Sequence, residues 1–384
     1  MAKTKIWSSS LSLRRDKETI AIAGNTKPTI EGNSFRGISS GRMGRMTSEE
    51  ERFDLSGPLH LLTFIDWKNE NTRRSILASL IQGIYVHERD RQKKRKGPQA
   101  LAPPWWESFQ FKLLDNLIDV DGSIFGAIYE FKPNHLLDGS PRYVIAFRGN
   151  FLKLRSFEQD INLDRYLILY KLHRAPRFEI AMLAVRKTVA AVGDSNVWLA
   201  GHSLGSAMAM LAGKSMAKTG TFLSCYLFNP PYVSFPIERI KHENVKRLIR
   251  ISKSCITAGL ALAMKGKNQQ RNQSDDPFEA LSAWFPCLYV NPRDFICCEY
   301  IGYFEDRKTM EEIGAGCMGR LATQNSIGSL LMNAMGRDTE PLHLIPSANV
   351  ITNSAPSQNC FSAHRIHQWW RDDLQLQSKL YKYK

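Results

Sequence analysis

The chain has 384 residues, of which 43% are apolar and 10% aromatic, enough to bury a substantial core and to exclude disorder throughout. Length alone suggests about two or three domains, although large α/β folds often use more than 200 residues as one. Lysine and arginine exceed aspartate and glutamate by 15, so anionic surfaces are attractive partners, but the charge is dispersed and no recognition motif marks a nucleic-acid binder.

No apolar run approaches the roughly 20 residues a membrane span needs. The best, residues 255–264, is interrupted by Thr257 and Gly259 and followed by Lys265. Seven cysteines, with Cys297 and Cys298 adjacent and no paired CxxC blocks, argue against a disulfide framework and for a reducing compartment. An intracellular, cytoplasmic location is therefore expected.

Residues 1–50 are rich in Ser, Thr, Gly and Arg and lack a hydrophobic period, which reads as a poorly ordered basic extension before a domain spanning 51–384. The first fifteen hold Lys3, Lys5, Arg14 and Arg15, four serines and no acid, a composition shared by organellar transit peptides and by plain disordered tails.

From Ile76 the apolar residues Ile76, Leu77, Leu80, Ile81 and Ile84 recur at helical spacing. The run 89–96 that follows carries six basic residues and reads as a solvated loop, the alternative being contact with a membrane surface or nucleic acid. Trp105 and Trp106 suit either a membrane interface or the edge of a core.

Residues 124–131 and 142–147 then read as adjacent strands or a hairpin. Met182, Val185, Val189 and Val192 predict a helix stopped by Gly193. Beyond it alternate a strand at 197–200, a helix at 206–217, a strand at 221–228, a helical region from Ile237 and a strand at 284–290. Such alternation predicts an α/β fold, a mostly parallel central sheet with helices on both faces.

The segment Gly201-His202-Ser203-Leu204-Gly205 falls directly between a predicted strand and a predicted helix. A nucleophilic serine must project from a sharp, strained turn there, and glycine at 201 and 205 removes side chains that would collide with the neighbouring elements. The new helix directs its first N–H groups toward a developing oxyanion, and Leu204 supplies one of them. Phe147-Arg148-Gly149-Asn150, at the end of an early strand, offers a second backbone donor through Asn150.

Serine needs a base and the base an orienting carboxylate. Asp294 follows the strand at 284–290 in a turn and is preferred to Asp275 and Asp276, which lie in a Gln/Asn/Ser-rich stretch. The histidines after it are His343, His364 and His367. His343 lies in an alternating strand-like stretch, whereas His364 and His367 precede a helical segment at 369–371; His364 is favoured as base and His367 stays the alternative. This chemistry calls for no metal or organic cofactor.

The blocks VIAFRGN, LAGHSLGSAMA, VNPRDFICCEYIGYF and AHRIHQWW together resemble the plant class-3-lipase-like α/β-hydrolases over roughly residues 52–375. Members often carry the label GDSL esterase/lipase, although the block here is GHSLG. The resemblance implies an α/β-hydrolase fold and a serine hydrolase of carboxylic, lipid-type esters. Ser203 would be its nucleophile, Asp294 its acid and His364 its base, with the amides of Asn150 and Leu204 as oxyanion donors. Class 3 lipases usually carry Thr or Ser where Asn150 stands.

Residues 151–164 match the region that leads into a lid in related lipases, and Asp160 and Asp164 there suit helix-end or ion-pair roles. The expected partner is a lipid or small ester substrate, with peripheral contact to an anionic membrane surface compatible with the charge. An acyltransferase using the same triad, and a non-catalytic scaffold that kept the fold, are the competing functions.

Overall fold

The structure is a computed structural model and describes residues 46–132, 138–149, 172–232, 281–312, 314, 344–355, 359–371 and 373–383. Eight strands form one sheet in sequence order: β1 (Phe111–Ile118), β2 (Ile124–Phe131), β3 (Tyr143–Phe147), β4 (Val197–His202), β5 (Ser224–Phe228), β6 (Cys287–Val290), β7 (Ala348–Asn353) and β8 (Leu376–Tyr381). Strands β3 to β7 run parallel, while β1, β2 and β8 pair antiparallel at the two margins. The expected pair at 124–131 and 142–147 is the antiparallel β2–β3 ladder.

Among the described residues the α-helices are α1 (Phe53–Ser56), α2 (Glu70–Lys93), α3 (Pro104–Glu107), α4 (Pro176–Val192), α5 (Leu204–Ala217), α6 (Glu299–Glu312) and α7 (Cys360–His364). Because side chains alternate along a strand, the sheet supplies two cores. Ile145, Leu199, Leu227, Leu288 and Val350 join α4, α5 and α6 on one face. Val144, Trp198, Ala200, Tyr226 and Tyr289 join α2 and α3 on the other. A sheet covered on both faces explains why β4 is buried at every position.

The basic run corrects the loop expectation. Helix α2 continues through Lys93 and closes on Lys94 in the left-handed region at φ 57°. Arg and Lys are good helix formers, and the run has a partner. The carboxylate of Glu51, itself 1% exposed, takes Arg89, Lys93 and Arg95 at 3.2, 2.8 and 2.6 Å. Trp105 and Trp106 are core residues, Trp105 packing edge-on against Phe53 with ring centroids 5.3 Å apart. Among the described residues, no helix is long and apolar enough to cross a membrane.

Candidate active site

Strand β4 ends at His202 and α5 begins at Leu204, so Ser203 carries the whole reversal of direction. Its backbone has φ 56° and ψ −124°, a conformation that costs a non-glycine residue about 1–3 kcal/mol. The neighbours enforce it. A Cβ on Gly201 would lie 2.3 Å from the Gly205 carbonyl oxygen, and one on Gly205 would lie 2.3 Å from that of Phe147. Ser203 N–H donates to the Phe228 carbonyl at 3.0 Å, and the Ser206 hydroxyl donates to the Ser203 carbonyl at 2.6 Å. The amide of Leu204 stands in the first turn of α5, where no intrahelical carbonyl reaches it.

Asp294 lies past the end of β6 and is fully buried. Its turn is closed by Arg293 N–H donating to Asn291 Oδ1 at 2.9 Å and Asp294 N–H donating to the Asn291 carbonyl at 3.0 Å. Oδ1 accepts from Ile296 N–H at 3.0 Å. Oδ2 accepts from Asn229 Nδ2 at 2.7 Å, from the Cys297 thiol at 3.2 Å and from His364 Nδ1 at 2.8 Å. Burial pushes this carboxyl's pKa up, but the His364 charge and these donors outweigh it and hold the group below its ordinary value.

His364 closes α7, a one-turn helix started by a capping box at Asn359. A carboxylate only accepts, so Nδ1 bears the proton toward Asp294 and Nε2 presents its lone pair. Ser203 Oγ lies 2.9 Å from Nε2 and donates to it. His367 is brought elsewhere: its Nε2 accepts from Gln82 at 3.3 Å, its ring packs on Trp370 with centroids 5.0 Å apart, and burial lowers its pKa to about 4. Asn150, residues 151–164 with Asp160 and Asp164, Asp275, Asp276 and His343 lie outside the described residues.

Asn229 is a site residue the sequence reading did not find. It follows β5 with φ 48° and is fully buried. One Nδ2 donates both to Asp294 and, at 3.0 Å, to the Ala363 carbonyl, while Oδ1 accepts from Trp369 Nε1 at 2.6 Å. The amide thus ties the acid's strand end to the segment bearing His364. The cue available in the sequence was an Asn-Pro-Pro directly after a strand, which marks a strand-end turn but no partner.

A strained serine between a parallel strand and a helix, in a mostly parallel sheet covered on both faces, with Asp294 and His364 following in chain order, defines an α/β-hydrolase. Residues 166–253 match the family model Lipase (class 3). An Arabidopsis thaliana protein named as a GDSL esterase/lipase is 53% identical over 355 residues, covering 88% of this chain and 100% of that protein. Among solved structures, a lipase from Rhizopus microsporus var. chinensis aligns with TM-score 0.31 and 16% identity over 59% of this chain and 68% of its own. Lipase II from Rhizopus niveus aligns with TM-score 0.31 and 12% identity over 75% and 81%. The chain belongs to the plant class-3-lipase-like family of α/β-hydrolases, a family of carboxylic ester hydrolases.

Proposed function

We propose that the protein is a serine hydrolase that cleaves carboxylic esters, lipid esters foremost, through a Ser203–His364–Asp294 triad and an acyl-enzyme. The observation that carries this reading is the unbroken path from Ser203 Oγ to His364 Nε2 at 2.9 Å and from His364 Nδ1 to Asp294 Oδ2 at 2.8 Å.

His364 takes the Ser203 proton as Oγ attacks the ester carbonyl, and Asp294 stabilises the imidazolium that results. The tetrahedral oxyanion is met by the Leu204 amide at the positive end of α5. The alcohol leaves with the proton from His364; water then repeats the attack, gives its proton to the same nitrogen and releases the acid. Lipid esters are the favoured substrate class because the Arabidopsis relative is named an esterase/lipase.

The test is hydrolysis of a p-nitrophenyl ester series, together with fluorophosphonate labelling, in wild type, Ser203→Ala, His364→Ala and His367→Ala. Turnover is expected to vanish in Ser203→Ala, to fall by about 10³-fold or more in His364→Ala, and to persist in His367→Ala. Equal labelling of wild type and Ser203→Ala would refute the reading and favour a scaffold. Loss in His367→Ala alone would reassign the base.

A further inference from the structure

Two polar side chains beside Ser203 take no part in the acyl-transfer steps: Tyr85 on α2 and His202 at the end of β4. They are joined to each other and to two stretches of backbone. Gly149 N–H donates to Tyr85 Oη at 2.8 Å. Tyr85 Oη and His202 Nδ1 are 2.8 Å apart, and His202 Nε2 lies 2.8 Å from the carbonyl oxygen of His364.

The protons along this chain are determined by its far end. A carbonyl can only accept, so the His202 proton is on Nε2, and Nδ1 must accept from the Tyr85 hydroxyl. The phenolic oxygen keeps a lone pair for Gly149 N–H. Desolvation lowers the His202 pKa to about 3 and raises that of Tyr85, so both rings stay neutral and the donor direction does not reverse near neutral pH.

The two backbone ends are the ones the chemistry depends on. Gly149 presses on the nucleophile, since a Cβ there would lie 2.8 Å from Ser203 Cβ and 3.0 Å from Tyr85 Oη. Its carbonyl is held as well, accepting from Arg148 Nη1 at 3.2 Å while Arg148 Nε donates to the Ile124 carbonyl at 2.6 Å. At the other end, the His364 carbonyl belongs to the residue whose imidazole faces Ser203. A shift of about 1 Å in either place can cost about 10²-fold in rate.

We propose that Tyr85 and His202 are positioning residues for the hydrolysis: a one-way hydrogen-bond brace that locks the backbone beside the nucleophile at Gly149 to the backbone of the base at His364. The inference rests on the serine-hydrolase reading. It assigns His202 a task distinct from its place in the GHSLG turn, and it gives α2, on the opposite face of the sheet from α5, a direct hold on the site.

The test is steady-state kinetics on p-nitrophenyl butyrate, with thermal midpoints recorded in parallel, for wild type, Ser203→Ala, Tyr85→Phe, His202→Gln, His202→Asn and the Tyr85→Phe/His202→Gln double variant. Glutamine can reach the His364 carbonyl but offers Tyr85 nothing at the Nδ1 position; asparagine does the reverse. Tyr85→Phe is expected to lower kcat about 10-fold with KM within twofold, and the double variant to be no worse than its worse parent, because both cut one chain. Unchanged kcat in folded Tyr85→Phe, a loss confined to KM, or full additivity in the double variant would overturn the brace. Should Tyr85→Phe not fold, lowered kcat in both His202 variants supports the brace and wild-type kcat in either overturns it. Absence of Ser203-dependent turnover in wild type would instead sink the hydrolase reading, and the brace with it; unchanged kcat in the variants sinks the brace alone.

Discussion

Acid should destabilise this protein through His202, and the size of the effect follows from where the ring lies. His202 is 5% exposed, and burial, aided by the nearby His364 charge, lowers its pKa to about 3. In the unfolded chain the same imidazole titrates near its ordinary value of about 6.5. As pH falls below that value the unfolded state gains a proton that the folded state refuses until about pH 3. The stabilising contribution is therefore complete above about pH 6.5 and shrinks by about 1.36 kcal/mol for each pH unit below it. Between pH 7 and 5 the loss is about 2 kcal/mol from this residue, rising to about 4 kcal/mol by pH 3. Urea unfolding at pH 7 and 5, followed by tryptophan fluorescence, measures it against His202→Gln, whose amide does not titrate. The variant should lose about 2 kcal/mol less over that interval than wild type, whatever its stability at pH 7. Equal losses in the two proteins would show that the native ring is protonated or hydrated at pH 5, and the argument from its burial would fall.

Two further perturbations probe the parts around the site. Asn229→Ala strands the buried Trp369 N–H and removes a donor from Asp294, while the Ala363 carbonyl keeps Gln368 Nε2 as its donor, so it should cost about 2 kcal/mol of stability and lower kcat about 10-fold. Chemical denaturation and ester kinetics on the same preparation check this, and wild-type values in both would refute it. Glu51→Gln leaves Arg89, Lys93 and Arg95 around a neutral amide. Since those cations are partly exposed, the cost should be about 2 kcal/mol, a fall of about 3 °C in thermal midpoint at neutral pH. An unchanged midpoint would mean that water already screens the cluster.

Several elements escaped the reading of the sequence for reasons that are local and physical. Strand β1 is only partly buried and carries a register shift between Leu113 and Asp115, so its residues do not alternate cleanly. Strand β8 is a margin strand exposed at most of its positions, and its identity comes from pairing with β7. The length of α2 was hidden because a run of like charges looks solvated until an opposing carboxylate is known, and Glu51 is 38 residues from Arg89 in the chain.

Alternating strands and helices, and a serine flanked two residues away by glycines at a strand-to-helix boundary, were determined by the sequence alone. Both are local: side-chain period and steric room at a turn depend on residues a few positions apart. The order Ser203, Asp294, His364 was legible as well, because each falls after a predicted strand. Tertiary structure decided which of two histidines three residues apart turns toward Ser203. It also decided that Asn229 bridges Asp294 and the segment carrying His364, and that Tyr85 and His202 join Gly149 to His364. Those outcomes rest on hydrogen bonds of about 3 Å between residues as many as 162 positions apart. Only assembly of the sheet and packing of α2 across it bring such groups within reach, and residue type at any single position carries no record of that distance.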